Sequence, residues 1–187
     1  MKNKQVLTLL ALASASSLAL AHVGTDAGVH HGFTDGLLHP FTGLDHLTAM
    51  LAVGIWSAGS ARRAWVAPLA FVVMLLTGAL LARAGVTFPA VETMIAGSLI
   101  AVGGLLLARQ QLPVWLGAVL MGGFALFHGA AHGQELGGGT ALLGMVAGTA
   151  ILHGVGIALG RQMRKQSLWL PRVAGAAIAL LGMGLLA

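Results

Sequence analysis

Six apolar runs, each close to the ~17–25 residues that cross a bilayer core, constrain this chain more than any other feature. They extend from about Phe41 to Ala58, Trp65 to Leu81, Ala90 to Ala108, Pro113 to Ala131, Thr140 to Gly160 and Leu168 to Ala187, with short polar turns between them. In lipid every backbone N–H and C=O must be paired inside the protein, which at this segment length means α-helices. The expected fold is therefore all-α, a polytopic membrane protein with six transmembrane helices. Composition agrees. Only 8% of residues are charged, against about 25% in a soluble domain, and the 28 glycines suit helices that pack closely in a bilayer.

Residues 1–21 carry Lys2 and Lys4, an apolar stretch from Val6, and Ala19-Leu20-Ala21 at the end. A basic start, a hydrophobic middle and a small-residue cleavage site describe a secretory signal peptide. Cleavage after Ala21 leaves His22 as the mature N-terminus, on the periplasmic side, where a free amine beside an imidazole can chelate a metal. Residues 22–38 are Gly-rich and polar, without strong period, and read as an exposed periplasmic arm. Its His30 and His31 suit either a metal-collecting tether or a solvated linker. Residues 39–187 form the six-helix transmembrane domain.

The net charge of +5 does not indicate nucleic acid, because the basic residues sit in short clusters between apolar runs. With the mature N-terminus outside, the inner loops hold Arg62, Arg63, Arg109, Arg161, Arg164 and Lys165, and the outer loops hold Arg83. That asymmetry satisfies the positive-inside rule. The chain has no cysteine, which excludes disulfides, thiolate metal sites and cysteine nucleophiles.

Two polar clusters interrupt the apolar pattern. The first is His39-Pro40-Phe41-Thr42-Gly43-Leu44-Asp45-His46, at the head of the first run. The second is Phe127-His128-Gly129-Ala130-Ala131-His132-Gly133-Gln134-Glu135, at the end of the fourth. Ionisable groups in a membrane segment cost roughly 2.5–3.5 kcal/mol each on insertion scales and by default indicate function. His128 and His132 lie four apart and share a helix face, which Glu135 continues. Imidazoles with carboxylates make a good ligand set for a divalent first-row metal. The first run descends from the outer face and the fourth rises to it. Asp45 and His46, ~8–9 Å below the outer end at 1.5 Å per residue, thus fall at the depth of His128 and His132. The competing reading is an internal polar network that only holds helices together.

Glu92, at the same level, either completes the site or complements its own helix N-terminus. Met50, one turn after His46, reads as packing. His153 stands apart on the fifth run, ~20 Å from its outer end. It is either an interhelical hydrogen-bond partner or a lower stepping stone on a metal path. Gly144/Gly148, Gly156/Gly160, Gly97 and Gly104 are read as close helix contacts. Six runs also divide into two sets of three with the polar clusters on the first helix of each, consistent with a 3+3 inverted repeat.

His39-x5-Asp45-His46 and the stretch from Phe127 to Glu135 resemble the two signatures of the HupE/UreJ family of nickel/cobalt permeases. The resemblance covers the whole chain, including the signal peptide, the histidine at the mature start and the six spans. It implies uptake of Ni2+ or Co2+ across the bacterial inner membrane, with the metal as transported substrate and no permanently bound cofactor. By motif position it implies His39, Asp45, His46, His128, His132 and Glu135 as functional residues; His22, Glu92 and His153 are further candidates from the reading of the residues themselves. No G-x-x-x-x-G-K-[ST] phosphate loop is present, so energy coupling is not through a nucleotide on this chain. Two other classes compete: a membrane redox protein holding haem between His pairs, and an intramembrane metalloenzyme, for which H-E-x-x-H is absent. Neither an enzymatic activity nor a nucleic-acid partner is expected, and a homo-oligomer is left open.

Overall fold

In the computed structural model the described residues are 32–60, 63–133, 135, 136 and 138–187. The expected signal peptide, His22, His30 and His31 lie outside them. Among the described residues there are seven α-helices: α1 Phe33–Thr42, α2 Leu44–Ser57, α3 Val66–Arg83, α4 Val91–Leu107, α5 Val114–His132, α6 Gly139–Gln166 and α7 Leu170–Gly184. Three of them, α3, α5 and α6, are long and apolar enough to cross a membrane, and α4 and α7 are shorter apolar helices.

The first apolar run differs from the sequence expectation. Helix begins at Phe33 rather than near Phe41, so the boundary set at residues 38 and 39 falls inside α1 and part of the expected arm is folded. Pro40 lies within α1 instead of opening a span. The break comes at Gly43, whose extended backbone (φ −90°, ψ 122°) separates α1 from α2. α1 and α2 are ~15 and ~21 Å long at 1.5 Å per residue, so only together do they match a bilayer. Non-helical backbone at such depth is tolerated where it is buried in protein or lines a polar cavity. His39 sits in the last turn of α1, and Asp45 and His46 in the first turn of α2.

α6 has 28 residues, about 42 Å, and serves as the rail for both short helices. α1 lies on its first half and α2 on its second, all three running the same way. Small residues permit this approach. A Cβ on Gly36 would overlap the Ala141 carbonyl, one on Gly144 the Phe33 carbonyl, and one on Gly54 would lie 2.5 Å from the His153 carbonyl oxygen. α3 and α5 form a second close pair in the same orientation, with Gly78 and Gly129 against Leu126 and Leu75. α4 and α7 form the third pair, antiparallel, through Gly103, Gly175 and Gly182. The expected contacts at Gly144, Gly148, Gly156 and Gly160 are present. Gly104 faces nothing within 4 Å, and Gly103 makes the contact instead.

Phe71, Leu75, Leu99, Leu106, Met50 and Met121 fill the core between these pairs. Met50, 1% exposed, packs there as expected. Arg63, Arg109, Arg161, Arg164, Lys165 and Arg172 gather at one end of the bundle, and Arg83 lies at the other with the polar clusters. α6 continues six residues past its expected end, so Arg161, Arg164 and Lys165 are helical.

Candidate metal site

The two polar clusters meet. His46 Nε2 lies 2.7 Å from His132 Nε2, and His39 Nε2 lies 2.8 Å from His132 Nδ1. Glu135 Oε2 is 2.7 Å from the same Nδ1 and 3.6 Å from His39 Nε2. His39, His132 and Glu135 present ligand atoms all within 4.8 Å of one another. α2 packs mainly on α6, and α5 mainly on α3, so the rings bridge two helices that are not principal partners.

Local chain geometry sets these positions. α5 ends at His132, with Gly133 as its C-cap. Glu135 therefore does not continue the helical stripe, as its spacing predicts, but turns back to the imidazole three residues before it. The backbone N–H of Leu136 donates to the His132 carbonyl at 3.1 Å, and Leu136 is fully buried. Arg83, in the last turn of α3, donates to the Leu136 carbonyl at 3.0 Å, tying this turn to the second helix pair. On the other side, Thr42 Oγ1 donates to the His39 carbonyl at 2.7 Å, satisfying an acceptor that the Gly43 break would leave open.

Asp45 stands behind His46 rather than among the converging atoms. Its Oδ1 accepts the His46 backbone N–H at 2.8 Å and lies 3.1 Å from His46 Nδ1. With the ring proton on Nδ1 pointing at this carboxylate, His46 Nε2 carries the lone pair and faces His132. A carboxylate that holds the far nitrogen of a ligating imidazole is the usual outer-shell arrangement of metal-binding histidines. Asp45 thus fits a positioning role, where the sequence put it among the ligands.

Counting protons shows what the cluster can hold. A neutral imidazole has one N–H and one lone pair. If His132 donates to Glu135 from Nδ1, its Nε2 lone pair meets the His46 lone pair at 2.7 Å. If it donates to His46 instead, its Nδ1 lone pair meets the Glu135 carboxylate at 2.7 Å. Either way two acceptors face each other. A second ring proton on His132, or a metal ion taken up as these contacts open, resolves the conflict, and imidazole with carboxylate suits a first-row divalent ion.

His128 lies directly beneath, with its ring centroid 4.9 Å from that of His46. Ser98 Oγ donates to the Ile95 carbonyl at 2.6 Å and so accepts from His128 Nε2–H at 3.0 Å. The Nδ1 lone pair of His128 is then free, fully buried and without a hydrogen-bond partner among the described residues. Phe71 follows, 5.4 Å from His128 and 5.1 Å from His153 between ring centroids. Side-chain exposure falls along this line, from 57% at Glu135 through 14% at His39 and 8% at His132 to 4% at His46, with His128 and His153 fully buried.

Glu92 does not join the cluster. It is exposed in the first turn of α4 and, with Glu135, lines an open pocket of about 430 Å3 bounded by Ala82, Phe88 and Ala131. That position fits the dipole reading and adds negative charge to the approach. Three contributors escaped the sequence reading: Ser98, Arg83 and Phe71. Ser98 had a signal, as the one hydroxyl well inside the third apolar run. The other two had none, since Arg83 reads as a topology charge and Phe71 as core.

A family profile described as HupE / UreJ protein matches residues 10–185 of the chain. The chain is also similar to "Protein HupE" of Rhizobium leguminosarum bv. viciae, 41% identical over 192 aligned residues that cover 100% of this chain and 99% of that protein. No solved structure matches it at a significant level.

Proposed function

As the chain belongs to the HupE/UreJ family, we propose that it is an inner-membrane permease that takes up a divalent transition metal, Ni2+ or Co2+, from the periplasm. It is a membrane protein, and its family supports a role in nickel or cobalt transport. One observation carries the reading furthest: His132 is shared between His39 and Glu135 on one side and His46 on the other.

In this reading α1 and α2 together make the first of six spans, and the end rich in Arg and Lys faces the cytoplasm. The helix pairing supports a 3+3 inverted repeat. Exchanging the first span with the fourth and the second with the fifth turns the α1–α2/α6 pair into the α5/α3 pair. The antiparallel α4/α7 pair maps onto itself, as a two-fold axis in the membrane plane requires. The metal site then lies on the two helices that open the repeats.

Capture begins at the open pocket, where Glu92 and Glu135 attract a hydrated cation. His39, His132 Nδ1 and Glu135 replace part of its water shell. Passage to the His46 side moves the ion from one nitrogen of His132 to the other, while the ring proton crosses in the opposite direction. Asp45 keeps the receiving lone pair of His46 aimed at the ion. Affinity alone does not choose nickel over cobalt, because the Irving–Williams order ranks both below copper. The haem alternative fits poorly, since the histidines gather with the carboxylates Asp45 and Glu135 at one end of the bundle.

Radiolabelled nickel uptake by cells expressing the protein tests the proposal. Wild type accumulates nickel above vector controls, and His46→Ala and His132→Ala do not at matched membrane levels. Uptake by both variants at the wild-type rate would remove the site from the transport path.

A further inference from the structure

Beneath Phe71 lies a second polar place that the outer cluster does not use. His153 is fully buried on α6, and neither its Nδ1 nor its Nε2 has a hydrogen-bond partner among the described residues. Thr149 precedes it by four residues, hence on the same helix face, and its Oγ1 is likewise fully buried and unpartnered. Buried polar groups are almost always satisfied, and each exception calls for an explanation. Two on one stripe, one of them a metal-ligating imidazole, point to an occupant.

The location fits. α6 spans Gly139–Gln166, which places His153 ~21 Å from its start and ~20 Å from its end. This is the middle of the helix, deeper than the outer cluster and at the distance from the outer end that its position in the fifth run predicts. Phe71, 1% exposed, stands between this residue and His128, with its ring edge-on to His153 at 84°. The line of imidazoles is thus interrupted once, by an apolar ring that offers a cation no σ-donor ligand.

We propose that His153, with the Thr149 hydroxyl, forms an inner binding station for the transported divalent cation, separated from the His46–His128 level by Phe71. The inference rests on the permease reading. An ion at this level exchanges its outer imidazoles for the His153 nitrogen and the hydroxyl, its remaining positions being filled by water or backbone carbonyls. Phe71 must swing aside for the ion to pass, so the two levels are occupied in sequence.

The test uses the full chain with substitutions at one position. His153→Gln keeps a polar group able to hydrogen-bond but removes the ligating ring, so a structural role would survive it. We expect its nickel uptake to fall about tenfold or more at wild-type membrane levels, the scale seen when a metal site loses a supporting group. Wild-type uptake by His153→Gln overturns the station. The second readout is spectroscopic. The natural chain has no cysteine, so in purified His153→Cys the introduced thiol is the only one, and added Co2+ should give a cobalt–thiolate charge-transfer band. Absence of that band at saturating Co2+ also overturns the station. His132→Ala separates the two claims: if it too transports normally, the permease site fails, whereas its loss beside a fully active His153→Gln rejects the inner station alone.

Discussion

His46 and His132 meet nitrogen to nitrogen at 2.7 Å, although their helices each pack chiefly on another partner. A contact of this kind, between helices that pack chiefly elsewhere, is set by the proton or metal ion that the two rings share. Metal binding should therefore require both rings. Either His46→Ala or His132→Ala should weaken Co2+ or Ni2+ binding to purified protein by about 10–100-fold or more, read by equilibrium dialysis. The double variant should be little worse than the single ones, because residues that act on one ligand as a unit are not additive. Fully additive losses would mean that the two imidazoles serve separate sites.

Asp45 allows a finer test. Its carboxylate accepts both the backbone N–H and the Nδ1 side of His46, so it sets which nitrogen of that ring faces His132. Asp45→Asn preserves one acceptor oxygen and loses the charge, while Asp45→Ala loses both. Metal affinity should decline in the order wild type, Asp45→Asn, Asp45→Ala, with the last about 10–100-fold down. A direct ligand would instead make Asn nearly as damaging as Ala. The concentration dependence of nickel uptake, which separates apparent affinity from maximal rate, distinguishes the two orders.

These residues also mark how far the sequence can be read. Lipid imposes a length and a hydropathy on each span, so the apolar runs were visible, with boundaries good to a few residues for the second, third, fourth and sixth. Depth was visible too, since a helix rises a fixed distance per residue, and it put Asp45, His46, His128 and His132 on one level. That the first and fourth runs touch was not visible, because spacing along one helix says nothing about its neighbours. α1 was hidden for a different reason. Gly36, Pro40 and Asp35 are weak helix formers, and the segment is helical against α6 through contacts at Gly36, Gly144 and Gly148, which local propensity does not record. Glu135 was misplaced because Gly133 ends α5 one turn early.

Close helix contacts give a stability prediction with its own control. A Cβ on Gly129 would overlap the Leu75 carbonyl and lie 2.9 Å from the Ala79 backbone nitrogen, forcing α3 away from α5 beside His128 and His132. Gly129→Ala should cost about 1–3 kcal/mol, the usual price of overpacking. It should lower the thermal midpoint of detergent-solubilised protein and disturb metal binding with it. Gly104→Ala meets nothing within 4 Å and should leave both unchanged. Equal behaviour of the two variants in a heating series followed by size-exclusion chromatography would show that the α3–α5 approach is looser than drawn.

Protons and metal compete for the same lone pairs in this cluster, which fixes the sign of the pH dependence. An imidazole binds a metal only when neutral, and its unperturbed pKa is about 6.5. Binding therefore releases protons, and apparent affinity falls as pH falls. Nickel uptake by cells at a fixed subsaturating concentration should decrease as outside pH is lowered through the histidine range, and raising the nickel concentration should restore it. Glu135, exposed at the mouth, is a carboxylate ligand and not one of the imidazoles that set this dependence. Glu135→Gln should accordingly lower uptake at every pH while leaving the midpoint in place. Uptake that rises on acidification, in wild type and Glu135→Gln alike, would instead indicate that inward proton movement drives the ion and that the ligands stay unprotonated throughout.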